Sequence, residues 1–308
     1  MNKDINVLSL FDGMSGAQIA LEKANIPVLN YFASEVDKFA IKITQKNYPN
    51  TIQKGDVQSI DTNALPRTGI DLLIGGSPCQ GFSFSGKRLN FDDPRSKLFF
   101  SYAKILEKIK PTYFLLENVR MKKEYQTIIS KHLGVEPVEI NSNLVSAQNR
   151  KRLYWTNIPL SIPEDKHIYF KDIIEKGSVD RDKSLCLDAS YFKGGSLETL
   201  IHNYRRQIVF DQPIIVQKPR GVNKFGLRAL NGKVPTLSSS SWQANNFIVY
   251  PEDATWRMLT PVECERLQTV PDNYTEGVSN TQRYKMLGNS FTVDIIAHIL
   301  QGIKETNG

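Results

Sequence analysis

One cysteine, Cys79, stands where an α/β protein places a reactive side chain. It follows the apolar run Leu72–Ile74 and two glycines, and Pro78 precedes it directly. The loop just beyond a strand is where active sites form in sheets of this class. Proline restricts its own φ and so stiffens the backbone beside the thiol. These features make Cys79 a candidate active-site thiol, with burial as a small hydrophobic residue as the alternative.

Three further features follow successive strand-like runs and are typical of a cofactor site. Gly13 and Gly16 lie in a turn between a strand and a helix, where a ligand can contact backbone N–H groups. Glu35 follows the next strand, and a carboxylate at this distance can accept hydrogen bonds from ribose hydroxyls. Asp56 stands where a third strand would end and can accept from an adenine amino group. Together they predict an adenosine-containing cofactor, although Glu35 as a surface charge and Asp56 as a turn former are ordinary alternatives.

A sheet must bring these strand ends together. Apolar strand-like runs alternate with the helical patterns Ser15–Ala24 and Lys97–Ile109. This alternation predicts an α/β fold with a doubly wound, mostly parallel sheet. The strand-like runs are Val7–Phe11, Tyr31–Ala33, Leu72–Ile74, Tyr113–Leu116 and Leu153–Thr156.

The alternation stops after about residue 172. Residues 173–250 carry many turn residues and only short strand-like runs. We therefore expect one main domain, formed by residues 1–172 and 251–308, and a smaller mixed lobe at 173–250. The short runs are Gln207–Phe210, Ile214–Val216 and Phe247–Val249.

Positive charge is concentrated in the smaller lobe. The 308-residue chain has 39 Lys and Arg against 32 Asp and Glu, a net charge of +7. Between residues 200 and 235, seven basic residues accompany one acidic residue, Asp211. Such a cluster predicts a surface that faces nucleic-acid phosphates, with a solvated loop region as the alternative. The basic residues are Arg205, Arg206, Lys218, Arg220, Lys224, Arg228 and Lys233.

Composition argues against several other classes of protein. The three cysteines are far apart, which is typical of a reducing compartment, and we expect a cytoplasmic protein. No apolar run approaches the roughly 20 residues of a membrane span, and no signal-peptide pattern is present. The chain has neither Cys-x-x-Cys nor His-x-Glu, so neither a structural zinc site nor a zinc deaminase is expected, and no metal is predicted.

Five segments resemble, in the family's order, the motifs of the DNA cytosine-5 methyltransferases. They are Leu10–Gly16, Ser77–Ser83, Glu117–Val119, Gln148–Arg152 and Gly288–Ser290. The resemblance covers almost everything except the smaller lobe. It is closest in build to bacterial or phage members, with stretches similar to the animal de novo enzymes. It implies the S-adenosylmethionine-dependent methyltransferase fold, the activity of a DNA (cytosine-5-)-methyltransferase, and a place in the cytoplasm, near the nucleoid, of a bacterial or phage-infected cell.

The resemblance assigns catalysis to four residues. A thiolate of Cys79 would add to C6 of cytosine and make C5 nucleophilic. Glu117 would hold a proton toward N3. Arg150 and Arg152 flank one residue and would face one side of a strand, where they fix the O2 of the base and orient Glu117. Methyl transfer from S-adenosylmethionine yields S-adenosylhomocysteine, and loss of the C5 proton then expels Cys79.

The resemblance also assigns the cofactor contacts, with Glu35 on the ribose and Asp56 on the adenine amino group. Ser15 stands where many members of the family have glycine, which leaves the geometry of that turn open. The assigned cofactor residues are Phe11, Asp12, Gly13, Gly16, Glu35, Val36, Asp56, Val57, Pro78, Leu98, Asn289 and Ser290.

The target cytosine lies inside a duplex and must be swung out to reach a thiol. The resemblance implies that residues 80–97 form a loop that closes over the base and that the lobe at 173–250 is a target-recognition domain. We expect double-stranded DNA as the partner, a monomer, and a cognate restriction endonuclease that acts separately. The predicted DNA contacts are Ser83, Ser85, Lys87, Arg88, Arg205, Arg206, Arg220, Lys224 and Arg228.

Two other functions are compatible with these residues. One branch of the family methylates a tRNA cytosine, and the basic lobe argues instead for duplex DNA. Family relatives that act as non-catalytic DNA-binding accessory subunits lack catalytic residues, whereas this chain has all four. DNA methylation is therefore the function that the sequence favours.

Overall fold

The computed structural model describes residues 4–66, 69–77, 97–179, 181–194, 206–210, 214–216, 247–249 and 256–305. The helices are α1 (Gly16–Lys23), α2 (Lys38–Asn47), α3 (Lys97–Ile109), α4 (Lys123–Leu133), α5 (Pro261–Leu267), α6 (Asn280–Asn289) and α7 (Val293–Glu305). The strands are β1 (Ile5–Leu10), β2 (Val28–Ser34), β3 (Ile52–Gln53), β4 (Leu72–Gly75), β5 (Tyr113–Val119), β6 (Val138–Asn141), β7 (Lys151–Thr156), β8 (Ile208–Phe210), β9 (Ile214–Val216), β10 (Phe247–Val249) and β11 (Trp256–Met258). In these ranges, no helix combines the length and the apolar character that crossing a membrane requires.

Seven of the described strands form one sheet in the order β3–β2–β1–β4–β5–β7–β6. The pairs from β3 to β5 are parallel, and β7 runs antiparallel to both of its neighbours. The predicted α/β architecture with a mostly parallel, doubly wound sheet is confirmed. Strand order reverses between β1 and β4, whose last residues, Leu10 and Gly75, pair with each other. Ligands bind beyond the carboxyl ends of strands at such a reversal.

Both faces of the sheet are buried, so the central strands are continuously apolar. Side chains alternate between faces along a strand. Val7 and Leu72 accordingly pack in the core that includes α1 and α7, whereas Leu8 and Leu73 pack in the core that includes α3 and α4. All four side chains are fully buried, and each such burial stabilises the fold by about 1.5–3 kcal/mol. The sheet is thus a rigid platform for the loops at its carboxyl edge.

The described parts of the predicted lobe at 173–250 pack partly on the main domain. Strand β8 pairs with β11, and β9 pairs with β10, both antiparallel. Tyr191 is buried; its hydroxyl donates to Gln207 O at 2.5 Å and accepts from Leu259 N at 2.8 Å. The side chain of Tyr191 therefore ties the beginning of β8 to the chain just before α5. The division into two domains stays a prediction.

Helix α6 approaches the segment after Leu187 with backbone against backbone. A Cβ atom on Gly288 would lie 2.2 Å from the carbonyl carbon of Asp188, so the two segments would have to separate. We expect Gly288→Ala to lower the free energy of unfolding by about 1–3 kcal/mol, measured by urea denaturation, because overpacking of this kind forces backbone shifts. Thr281→Ala, at an exposed position of the same helix, is the control. Equal stability of the two variants would contradict the expectation.

Candidate active site

A cavity of about 490 Å³ opens at the carboxyl edge of the sheet. Its volume is in the range of sites that bind small molecules and cofactors. It is lined by thirteen of the residues assigned to catalysis or to a cofactor, namely Phe11, Asp12, Gly13, Glu35, Val36, Asp56, Val57, Leu98, Glu117, Arg150, Arg152, Asn289 and Ser290. Gly16 is described but does not line the cavity; a Cβ there would lie 3.2 Å from the hydroxyl oxygen of Ser290. Gly16 thus allows α1 to approach the C-terminal segment closely.

Several predicted site residues lie outside the described residues. They are Pro78, Cys79, Ser83, Ser85, Lys87, Arg88, Arg205, Arg220, Lys224 and Arg228. Gly76 and Ser77, the last described residues before this stretch, line the cavity. Arg206 is described and half-buried, and its guanidinium donates to Gly194 O and, at 3.0 Å, to the hydroxyl of Ser190. The contact of Arg206 with DNA stays a prediction.

Glu117 and Arg152 form an ion pair inside the cavity. They lie on the antiparallel strands β5 and β7, and Nε of Arg152 is 3.0 Å from Oε1 of Glu117. The two side chains are 13% and 14% exposed, so solvent screens the pair little. A Cβ atom on Gly76 would lie 3.1 Å from the other oxygen of Glu117, so the carboxylate rests against the chain that leads out of β4. The ion pair with Arg152 and the close approach of Gly76, which has no Cβ, together fix the position of the Glu117 carboxylate.

The guanidinium of Arg150 joins two other segments of the chain beside the cavity, the one at Leu187 and the one at Gly288–Ser290. It donates to Leu187 O at 2.8 Å, to Ser290 O at 2.8 Å and to Gly288 O at 3.3 Å. Burial, with a smaller contribution from nearby Arg152, lowers the pKa of Arg150 below its ordinary value. The Nε atom of Arg150 is buried and has no hydrogen-bond partner among the described residues. A buried donor of this kind is costly unless a ligand supplies an acceptor.

The turn after β1 is held by a buried carboxylate. Asp12 accepts hydrogen bonds from the Ser15 hydroxyl and, at 2.6 Å, from the Tyr31 hydroxyl. Ser15 has a φ of 61°, in the left-handed region that favours glycine. Its hydrogen bond to Asp12 offsets the cost of this conformation. The serine that departs from the family's glycine therefore keeps the tight turn.

Glu35 and Asp56 sit on neighbouring loops of the same wall. Glu35 accepts from the backbone N–H groups of Gly13, Val36 and Asp37 at 2.7–2.8 Å, which fixes its carboxylate in one orientation. Asp56 caps a short 3-10 turn through the N–H of Gln58 at 2.9 Å. Both carboxylates line the cavity and present acceptors to it.

Several other residues line the cavity to which the sequence alone assigned no individual role. Asn118 donates to the Ser77 hydroxyl at 3.1 Å and to Ser77 O at 3.3 Å, which holds the chain that leads toward Cys79. Asn118 lies inside a segment that the family resemblance already marked. Asp37, Lys285 and Phe291 also line the cavity, and no local motif pointed to them.

The titration of Asp12 predicts a pH-dependent stability. Burial raises its pKa from 3.8 to about 6, although hydrogen bonds from Ser15 and Tyr31 oppose the shift. Because Asp12 binds its proton more tightly in the folded chain, its protonation stabilises the fold at a pH below about 4. This stabilisation is lost as the pH rises from about 4 to 6. We expect the free energy of unfolding of Asp12→Asn, relative to the unaltered protein, to rise by roughly 2–3 kcal/mol between pH 4 and 7. Urea denaturation at both pH values measures this; a difference that does not change with pH would contradict it.

Comparisons with known proteins identify the family of the chain. The family model described as C-5 cytosine-specific DNA methylase matches residues 5–305. The chain is 30% identical to the Type II methyltransferase M1.ScrFI of Lactococcus lactis subsp. cremoris, over 97% of this chain and 78% of that protein. It is 29% identical to the Type II methyltransferase M.FnuDI of Fusobacterium nucleatum, over 98% and 95%.

Solved structures show the same fold at lower identity. The Entamoeba histolytica methyltransferase EhMeth aligns with a TM-score of 0.71 and 18% identity, over 99% of both chains. The S. pombe Dnmt2 methyltransferase aligns with a TM-score of 0.62 and 17% identity, over 99% of this chain and 100% of that one. The predicted methyltransferase fold is thereby confirmed.

Proposed function

Because this chain belongs to the C-5 cytosine-specific DNA methylase family, we propose that it is a sequence-specific DNA methyltransferase that modifies C5 of cytosine. One observation carries the proposal. The ion-paired carboxylate of Glu117 and the carboxylates of Glu35 and Asp56 line a single cavity at the carboxyl edge of the sheet. A methyl donor and a pyrimidine base can therefore meet there.

The residues of the cavity fit S-adenosylmethionine. Glu35 is oriented by three backbone donors and retains about one acceptor site, on Oε2, for a ribose hydroxyl. Asp56 offers an acceptor to the adenine amino group, and Val36, which is 70% exposed, offers an apolar surface to the ring. When bound, S-adenosylmethionine supplies an electrophilic methyl group. We assign no metal to the reaction.

Cys79 carries the covalent step that we propose. Its thiolate forms a bond to C6 of the cytosine, and the displaced π electrons make C5 nucleophilic. After C5 takes the methyl group, a base removes the C5 proton. The electron pair of that C–H bond restores the C5–C6 double bond, and the bond between C6 and the sulfur breaks. Cys79 is thereby returned as a thiolate.

Glu117 and the two arginines stabilise the charge that develops on the base. Addition at C6 increases the electron density at N3 and O2, and a proton shared between Glu117 and N3 offsets it. Arg152 holds the carboxylate in position through the 3.0 Å ion pair. Arg150 lines the same cavity, and we propose that its guanidinium lies near O2 of the cytosine.

Double-stranded DNA is the substrate that we propose, with the target base rotated out of the helix. Relatives named as Type II methyltransferases, from two bacteria, support a role in DNA modification in a bacterial cell. We further propose a separate cognate restriction endonuclease and a place in the cytoplasm of a bacterial or phage-infected cell. We assign target recognition to the lobe at 173–250, with its basic residues near phosphate, and we expect a monomer.

Bisulfite sequencing of a plasmid from cells that express the chain tests this function. We expect protected cytosines within one short sequence context, and none in a plasmid from cells that express Cys79→Ala. Labelling of purified DNA and tRNA with tritiated S-adenosylmethionine separates the alternatives. Label in tRNA alone would replace the proposal with a tRNA methyltransferase. DNA binding without label in either substrate would replace it with an accessory subunit.

A further inference from the structure

An ion pair at the rim of the cavity joins two residues that are far apart in the sequence. Lys285 on α6 donates from Nζ to Oδ2 of Asp37 at 2.8 Å. The two residues are 248 positions apart in the sequence, and both line the cavity. Their side chains are 45% and 29% exposed, so the pair lies at the rim rather than in the core.

Asp37 links this ion pair to the predicted ribose acceptor. Its Oδ1 accepts from Phe39 N at 2.9 Å and caps α2, while its own N–H donates to Oε1 of Glu35 at 2.8 Å. Two carboxylates therefore lie two residues apart on one turn. The ammonium of Lys285 offsets their mutual repulsion and draws the turn toward α6.

Other contacts join α2 to the C-terminal region without reaching the cavity. Lys42 donates to Gly277 O and Lys46 to Glu276 O, both at 2.8 Å. Neither lysine lines the cavity. These contacts join the same two parts of the fold as the Lys285–Asp37 ion pair. A variant of either lysine therefore serves as a control for the loss of such a contact away from the cavity.

We propose that Lys285 is a positioning residue for the methyl donor, acting through Asp37 on the turn that holds Glu35. The proposal deepens the proposed function and rests on S-adenosylmethionine as the ligand of this cavity. Loss of the ion pair removes one restraint on the turn, so the Asp37 N–H, one of the three donors to Glu35, is held less firmly before the methyl donor binds. The methyl donor must then order the turn when it binds, which weakens its affinity.

Four single variants and one double variant test the role. Lys285→Met removes the cation, and Asp37→Asn removes the charge while keeping an effective N-cap for α2. We expect each to raise the KM for S-adenosylmethionine about two- to five-fold with little change in kcat, the range for partly exposed ion pairs. The double variant should show no further rise, and Lys285→Arg should restore the KM. Lys46→Met is the matched control and should leave the KM unchanged.

The outcomes are distinct. An unchanged KM in Lys285→Met, additive increases in the double variant, or an equal increase in Lys46→Met overturns the positioning role. Titration calorimetry with S-adenosylhomocysteine separates this result from a failure of the proposed function. If the unaltered protein does not bind S-adenosylhomocysteine, the assignment of the cavity itself is wrong.

Discussion

We expect that replacing Cys79 with alanine will abolish methyl transfer and leave binding of the proposed methyl donor intact. The alanine has no sulfur to add to C6, so C5 keeps the low nucleophilicity of free cytosine, and we expect kcat to fall at least about 10⁴-fold. The donor contacts that we propose lie on other residues, among them Glu35 and Asp56. Tritium incorporation into DNA measures the first effect, and titration calorimetry with S-adenosylhomocysteine measures the second.

A trapping experiment tests directly whether Cys79 is the nucleophile. With S-adenosylmethionine supplied, DNA duplexes that carry 5-fluorocytosine in every short context should form an adduct with the unaltered protein that survives denaturation. After methyl transfer, C5 carries fluorine in place of the proton whose loss would expel the sulfur of Cys79. Cys264→Ala is the control, since this thiol is fully buried in the core and does not line the cavity. It should still form the adduct, whereas Cys79→Ala should not. Full activity of Cys79→Ala would refute the assignment of the nucleophile.

Glu117→Gln should lower kcat by about 10²–10⁴-fold with little change in the KM for the donor. Glutamine keeps the size of the side chain but cannot share a carboxyl proton with N3, and contributions of general acid–base catalysis fall in this range. The variant also loses the ion pair with Arg152. Single-turnover methylation of DNA at saturating donor measures the chemical step.

Glu139→Gln provides the matched control for this variant. Glu139 forms an ion pair with Arg120 at 2.8 Å on the surface, outside the cavity. Loss of an exposed pair costs little, so kcat should stay near that of the unaltered protein. Similar rates for the two variants would show that the charge of Glu117 has no special part in catalysis.

Much of the fold follows from local patterns in the sequence. Helix α3 begins and ends where the spacing of apolar residues and Pro111 place it, over Lys97–Ile109. The central strands are apolar on both faces, which makes them easy to find. Helix α2 is less evident, because only Ala40, Ile43 and Thr44 on it are buried. A narrow apolar stripe of this kind does not stand out from a polar loop.

The residues of the cavity were predictable only in part, because some of them are brought together by packing that leaves no local pattern in the sequence. Parallel strands bring their carboxyl ends to one edge, so Glu35, just after β2, and Glu117, near the end of β5, line the same cavity there. The pair of Asp37 and Lys285 has no local pattern, since it depends on how α6 packs on the first half of the chain. The raised pKa of Asp12 likewise comes from burial that no neighbouring residue reveals.

The wall of the cavity is built from both halves of the chain, and this has a consequence during synthesis on the ribosome. Phe11 and Glu35 leave the exit tunnel early, but Lys285 and Phe291 complete the same wall about 250 residues later. A nascent or prematurely terminated chain thus lacks part of the pocket, and it should neither retain a methyl donor nor mark a genome. The ability to bind the donor that we propose is therefore gained only after residues 285–291 have been synthesised.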